Sequence, residues 1–199
     1  MKVDIEDVLF WMDAIRNSDN RYRTLESFWK GQVHSKIWLI ENLQRYVDNK
    51  PNNIVIHGGW NGVLAALIFN SGIPVKSITS VDIDPACEKI ANTINKRYEM
   101  QGKFLSVTED MTNFKYRKVF DIAINTSTEH LKQSQYENWL DNLNEQLIIL
   151  QSNDYKIKEH VRVARSLDEF IDQSQIKVKW AGSKKFPLYN RWMIIGTKS

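Results

Sequence analysis

Gly58-Gly59-Trp60-Asn61-Gly62 and Asp82 are the residues of this 199-residue chain that first suggest a ligand. Glycines let a ligand approach the backbone closely, and a helix starting just after them offers free N–H donors to a carboxylate or phosphate. Tight strand–helix turns need glycine as well, so the cluster alone decides nothing. Asp82, however, follows Gly62 by 20 residues, at the end of the next apolar run. A carboxylate so placed can accept hydrogen bonds from both hydroxyls of a ribose. Together the two features point to an adenosine-type ligand. Further on, Glu109-Asp110-Met111 places Asp110 where an adenine amino group can donate to it, although an aspartate there equally reads as a helix cap.

A second set of residues suggests acid–base work. His130, in Asn125-Thr126-Ser127-Thr128-Glu129-His130, can remove a proton from an attacking hydroxyl or amine. Glu129 can orient that imidazole or bind an ammonium; the blander alternative is a pair that caps or solvates a helix start. Asn153, Asp154 and Tyr155, in Gln151-Ser152-Asn153-Asp154-Tyr155, can line a pocket for the molecule acted on or form an ordinary turn. Glu159-His160 repeats the Glu-His pairing. Adjacent residues diverge on any regular element, so neither pair is expected to chelate, and no metal is expected. Lys184-Lys185, with Tyr189, Arg191 and Trp192, can engage single-stranded bases or form a charged hairpin tip.

The elements that must position these residues alternate. Up to about residue 50 the chain reads as helices, with Val33, Ile37, Ile40, Leu43 and Val47 forming a docking stripe. Strands are expected at 53–56, 77–83, 103–108, 119–124 and 147–150, with helices between them. Ser166-Leu167-Asp168-Glu169 has the form of a capping box. Two closing strands, 176–181 and 191–197, have no helix between them and should form a hairpin with one antiparallel member. Alternation of this kind gives a parallel sheet covered by helices, and such sheets bind ligands beyond the carboxyl ends of their strands.

Composition narrows the classes. Hydrophobic residues make up 42% and charged residues 26%, as in globular proteins, and the net charge of +3 is too small for a nucleic-acid-coating protein. The single cysteine, Cys87, excludes an internal disulfide framework and a cysteine-based zinc site, and suits a reducing compartment. The acidic N-terminus does not read as a signal peptide, and no apolar run is long enough to span a bilayer. A soluble cytoplasmic protein is expected.

Residues 53–197 resemble the class I S-adenosylmethionine-dependent methyltransferases. The glycine turn, Val81-Asp82-Ile83-Asp84-Pro85, the aspartate after the third strand and the closing hairpin carry the resemblance. It implies an α/β fold with a seven-stranded, mostly parallel sheet of order 3-2-1-4-5-7-6, the last strand antiparallel. The chain would be one domain, 1–199, with an N-terminal helical cap over 1–50 and a Rossmann-like core over 51–199. S-adenosylmethionine would be the cofactor, held by Gly58, Gly59, Trp60, Gly62, Asp82, Ile83, Asp110 and Met111, with Asn125 and Thr126 facing the activated methyl. Of the helices preceding the core, Gln32 or Lys36 would reach the methionine carboxylate and Trp29 the substrate. Two positions depart from the family pattern: Ile56 replaces the acid usual two residues before the first glycine, and Trp60 a common glycine.

The Pro-Pro-aromatic motif of methyltransferases acting on DNA-base amines is missing, so a small-molecule hydroxyl or amine is the expected acceptor. Alternatives are an RNA or nucleotide acceptor, or a protein that binds or cleaves the cofactor without transfer. A dinucleotide-binding dehydrogenase would need G-x-G-x-x-G, a register this turn lacks; Trp60 would also crowd a diphosphate but tolerate a sulfonium. Gly-Gly-Trp-Asn-Gly, Asn-Thr-Ser-Thr-Glu-His and Gln-Ser-Asn-Asp-Tyr are similar to segments of phage-encoded members of the group, which would place the protein in a host cytoplasm.

Overall fold

The computed structural model describes residues 1–116, 119–144 and 147–198. Three helices open the chain: α1 (Ile5–Arg16), α2 (Arg21–Glu26) and α3 (Lys30–Leu43). Strand–helix alternation follows, with β1 (Asn52–His57), α4 (Val63–Phe69), β2 (Val75–Asp82), α5 (Pro85–Ile94), α6 (Lys96–Glu99) and β3 (Phe104–Thr108). Then come β4 (Ile122–Asn125), a 3-10 turn (Thr128–His130), α7 (Gln133–Asp141), β5 (Leu147–Asn153), α8 (Leu167–Ser174), β6 (Lys177–Lys185) and β7 (Asn190–Thr197). The sheet runs β3-β2-β1-β4-β5-β7-β6. β1, β2 and β3 pair in parallel, as do β4 and β5, while β7 is antiparallel to both β5 and β6. This is the order that the family resemblance implies. Among the described residues, no helix is long and apolar enough to cross a membrane.

The chain divides into two compact units, Met1–Asp110 and Met111–Ser199. The boundary between them falls just after β3. In the first unit, the docking stripe on α3 is only partly sunk: Ile40 and Leu43 are buried, whereas Val33, Ile37 and Val47 are half-buried. Polar bonds carry much of the N-terminal attachment. The buried Asp7 carboxylate accepts from Asn70 Nδ2 at 2.7 Å and from the Tyr98 hydroxyl at 2.9 Å. Arg97 pairs with Asp4, and Tyr98 stacks on Phe69 with ring centroids 3.9 Å apart. Burial, reinforced by the bond to Asp7, pushes the Tyr98 hydroxyl well above its ordinary pKa, so it stays a donor.

Several boundaries move for tertiary reasons. β6 continues through Gly182 to Lys185, because Lys184 and Lys185 pair with Arg191 and Asn190 of β7. The turn is therefore Phe186–Tyr189, closed by the Phe186 N–H on the Tyr189 carbonyl at 2.8 Å, and Lys184-Lys185 are strand residues rather than its tip. β4 starts at Ile122, later than expected, and β5 runs on to Asn153. At α8, Ser166 Oγ accepts from the Glu169 N–H, but Glu169 reaches back to the Arg165 N–H, one residue beyond a regular capping box.

Two positions where β1 meets its neighbour set measurable constraints. A Cβ at Gly59 would stand 1.9 Å from Ser80 Oγ of β2, so glycine is required for close strand approach. Ser80 Oγ is itself buried and has no hydrogen-bond partner among the described residues. Gly59→Ala is expected to cost about 1–3 kcal/mol through overpacking. Ser80→Ala alone should be nearly neutral, and in the double variant it should restore most of the loss, because the obstructing oxygen is gone. Strictly additive urea-unfolding energies would show that Ser80 is not the obstacle. His57, fully buried, is pushed by desolvation from 6.5 to about 3. Between those values the unfolded chain takes a proton that the folded chain refuses, so stability is complete above pH 6.5 and falls as pH drops. The slope should approach about 1.4 kcal/mol per pH unit, and His57→Gln should flatten it. An unchanged acid limb in that variant would remove His57 as its source.

Candidate functional site

Within the first unit, chemistry concentrates at the ends of β1 and β2. The turn after β1 passes through the left-handed backbone region three times, at Gly58 (φ 64), Trp60 (φ 48) and Gly62 (φ 73). A bulky residue rarely adopts this conformation. Trp60 is held in it by Asp82, whose Oδ2 accepts the Trp60 N–H at 2.7 Å. Tryptophan thus keeps the backbone form a glycine would take there. Gly62 is required for packing too, since a Cβ would lie 2.7 Å from Asn95 Nδ2 and 3.0 Å from Ala91 Cβ of α5. Asn95 Nδ2 also donates to the Gly62 carbonyl at 3.0 Å, fixing the first turn of α4.

Asp82 does further work. Its Oδ1 accepts the Asp84 N–H at 3.0 Å, and its backbone carbonyl takes the Glu109 N–H at 2.9 Å. The carboxylate is half-buried and keeps lone pairs beyond these two bonds. Beside it, Ile83 is 68% exposed, an uncovered apolar side chain at the strand end. Asp110 is half-buried just past β3. Arg23 of α2 was not foreseen: it pairs with Asp84 at 2.5 Å. The Asp84 carboxyl, capping α5 through the Ala86 N–H and paired with Arg23, is held below its ordinary pKa. No local pattern could disclose a pair 61 residues apart. Burial pushes the nearby Cys87 thiol up to about 12, which keeps it protonated and inert. On α3, Lys36 Nζ donates to Gln32 Oε1 at 3.0 Å, and both side chains are half-buried. Trp29, at the N-cap of α3, is 66% exposed rather than part of the core.

Within the second unit, the polar cluster surrounds Glu129, which is 3% exposed. Its Oε1 accepts from Asn153 Nδ2 at 2.5 Å and lies 3.9 Å from the Arg191 guanidinium. Its Oε2 is buried with no hydrogen-bond partner among the described residues. The Glu129 carbonyl takes the Val161 and Arg162 N–H groups, tying the 3-10 turn to the segment after β5. Arg162 holds the same turn through the Thr128 carbonyl and lies 4.0 Å over the Tyr136 ring; desolvation lowers its pKa. His130 is exposed, and its Nδ1 meets the Glu159 carbonyl at 3.1 Å. The orienting bond expected from Glu129 is therefore made by a backbone carbonyl.

The remaining expected residues divide between structure and surface. Asn125 is fully buried; its Oδ1 accepts the Ser127 N–H at 3.0 Å and its Nδ2 contacts Met111 Sδ at 3.3 Å. The Thr126 carbonyl accepts from Arg191 at 2.8 Å. Asn153 spends its oxygen on the Tyr155 N–H, and Asp154 braces the hairpin through the Asn190 backbone and side-chain nitrogens at 2.7 and 2.6 Å. Of the three residues expected to line a pocket, Tyr155 alone presents an exposed side chain. A hollow of about 340 Å³ lies next to it in sequence, lined by Lys156, Ile157, His160, Val161, Val163 and Arg165. Of the residues that could engage bases, two are committed to the fold: Arg191 is 7% exposed and bonded internally, and Trp192 is buried with its Nε1 on the Ala164 carbonyl. Neither is available to a nucleic acid.

Adjacent Glu-His pairs were expected to diverge, but Glu129 and His130 keep one donor atom each within 4.8 Å, and His160 brings a third within the same distance of both. Sequence spacing could not show this, because the segment carrying His160 has no regular structure.

No protein-family model and no curated protein matches the sequence. Solved structures do. Magnesium protoporphyrin IX methyltransferase (ChlM) from Synechocystis PCC 6803, with bound S-adenosylhomocysteine, aligns with a TM-score of 0.67 at 11% identity over 98% of this chain and 94% of its own. The N-methyltransferase NodS from Bradyrhizobium japonicum WM9, also with S-adenosylhomocysteine, gives 0.67 at 11% identity over 95% and 98%. A geranyl diphosphate methyltransferase, with its substrate and sinefungin, gives 0.65 at 9% identity over 84% and 78%. The chain has the class I S-adenosylmethionine-dependent methyltransferase fold.

Proposed function

We propose that the protein transfers the methyl group of S-adenosylmethionine to a hydroxyl or amine of a small molecule. The observation that carries this reading is the left-handed turn after β1, clamped to the carboxylate of Asp82. In a sheet of this order, ligands bind beyond the carboxyl ends of the strands. Several structures with the same fold hold S-adenosylmethionine or its demethylated product. Gly58, Gly59, Trp60 and Gly62 form the turn; Asp82 offers its remaining lone pairs to ribose hydroxyls; Ile83 covers the base, with Asp110 and Met111 beside it. Gln32 and Lys36 bind the methionine carboxylate, Trp29 shields the substrate, and Asn125 and Thr126 face the methyl group.

Glu129 and His130 serve the acceptor. His130, with Nδ1 held by a carbonyl, keeps a lone pair on Nε2 for a proton from the attacking group. The buried carboxylate of Glu129 favours a cationic acceptor such as an ammonium. Asn153 and Asp154 shape the acceptor side through the bonds they make in the fold, and Tyr155 supplies an exposed ring. The internal commitments of Arg191 and Trp192 weigh against the RNA alternative.

Calorimetry should detect S-adenosylmethionine or S-adenosylhomocysteine binding, weakened by about 1–3 kcal/mol in Asp82→Ala. That variant also releases the Trp60 N–H, so a second ligand separates the two effects. A 2′-deoxy analogue of the cofactor should bind the natural chain more weakly than the cofactor, and Asp82→Ala should erase the difference. A difference that survives would leave Asp82 with the turn alone, and preference for a dinucleotide would overturn the whole reading. For the acceptor side, His130→Ala should bind cofactor normally yet lose about 10²–10⁴-fold in turnover on an acceptor found by methyl-transfer screening. Full activity in that variant would reduce catalysis to proximity and orientation.

A further inference from the structure

We infer that Glu129, His130 and His160 form a binding site for a divalent transition-metal cation of the zinc type. The inference stands on the second unit alone and does not depend on the methyl-transfer reading. One nitrogen of each imidazole and one carboxylate oxygen lie within 4.8 Å of one another. Zinc binds imidazole nitrogen and carboxylate oxygen at about 2.0–2.2 Å, so the donors must draw together by roughly an ångström. His130 is exposed and His160 half-buried, on a turn and on a segment without regular structure, where side chains can make that adjustment.

Three independent features favour a cation here. The first is the state of Glu129: its carboxylate is buried, one oxygen takes a single amide bond, and Oε2 has no partner among the described residues. Arg191 does not fill that need, because its guanidinium stands 3.9 Å from Oε1 and gives its short bond to the Thr126 carbonyl. The second is how the imidazoles are held. His130 Nδ1 meets the Glu159 carbonyl at 3.1 Å, and His160 Nδ1 meets the Tyr155 carbonyl at 2.6 Å. A carbonyl at Nδ1 fixes the proton there and leaves the Nε2 lone pair free, the arrangement in which a histidine binds metal with its other nitrogen anchored. The two rings lie edge to face with centroids 4.8 Å apart.

The third feature is the donor set itself. Two imidazoles and one carboxylate suit zinc, cobalt or nickel, whereas magnesium and calcium prefer shells of oxygen. Three protein ligands also leave at least one coordination position open, as in catalytic rather than structural zinc sites. The hollow lined by His160, Val161, Ile157 and Val163 adjoins one of the ligands. A bound cation takes the lone pair that proton removal by His130 would use, so the two states exclude each other. Binding is therefore measured on the cation itself and not through turnover.

The full chain, stripped with a chelator and then titrated with Zn²⁺ or Co²⁺, should bind one cation, with Co²⁺ giving visible absorption bands of a nitrogen- and oxygen-bound ion. His130→Ala and His160→Ala should each weaken binding by about 100-fold, at least as much as the loss of an outer partner costs in other metal sites. Glu129→Gln, checked for folding by circular dichroism, should do the same and shift the Co²⁺ bands. No saturable binding at micromolar free cation would overturn the proposal. So would weakening by the two histidine variants but not by Glu129→Gln, which would reduce the site to a surface histidine pair.

Discussion

A strand that ends at the rim of a sheet leaves backbone N–H groups that must be paired before the chain can turn. This chain meets that demand the same way at three strand ends. Asp82 accepts the N–H of Asp84, Asn125 that of Ser127, and Asn153 that of Tyr155, each from two residues ahead and at 2.9–3.0 Å. Acidic and amide side chains are suited to this bond because they are short and carry an acceptor in reach of their own backbone. Each has a second polar atom left over, and that atom builds the next layer. The other oxygen of Asp82 clamps Trp60, the amide of Asn125 reaches Met111, and the amide of Asn153 holds Glu129.

The sheet was legible because its signals are redundant. β-branched runs alternate with helical stretches, right-handed parallel crossovers leave few orders open, and the family resemblance selects one of them. The closing hairpin showed itself by the missing helix between its strands. Boundaries were less legible where pairing overrides local preference. Gly182 reads as a break, yet β6 runs through it because β7 continues to offer partners, and the Trp180 ring occupies the space a Cβ there would need. The attachment of the N-terminal helices was only partly legible for a related reason. An apolar stripe is visible in sequence, whereas a bond from Asp7 to Tyr98, 91 residues away, is not.

At the strand ends, sequence showed which residues would gather but not what their atoms would do. Asn153 and Asp154 read as pocket residues by type and place. Their polar atoms instead hold Glu129, turn the chain and brace the hairpin. The basic, aromatic character of Arg191 and Trp192 suggested an exposed surface, but they point to opposite faces of a strand that is buried on both along nearly its whole length. His160 was the hardest to place. It lies on a segment with no period to read; the backbone bonds from Val161 and Arg162 to Glu129, with the contact of His130 Nδ1 on the Glu159 carbonyl, bring it beside His130.

Two carboxylates with different surroundings divide the chemistry. Asp82 is half-buried, and each of its oxygens receives a backbone N–H, so its negative charge is already stabilised and its spare lone pairs are suited to neutral hydroxyls. Glu129 is buried, shares one oxygen with an amide and leaves the other unmet. Desolvation makes such a group a poor partner for a neutral hydroxyl alone and a strong one for a positive centre, whether an ammonium or a metal ion. Arg191 stands near enough to moderate the field but spends its short bond elsewhere. The exposed His130 and half-buried His160 then determine which positive centre fits: fixed lone pairs on two imidazoles repel neither, but they add two ligands for a metal. An ammonium gains from them only where its N–H bonds reach both rings, whereas a metal ion needs only that the donors converge.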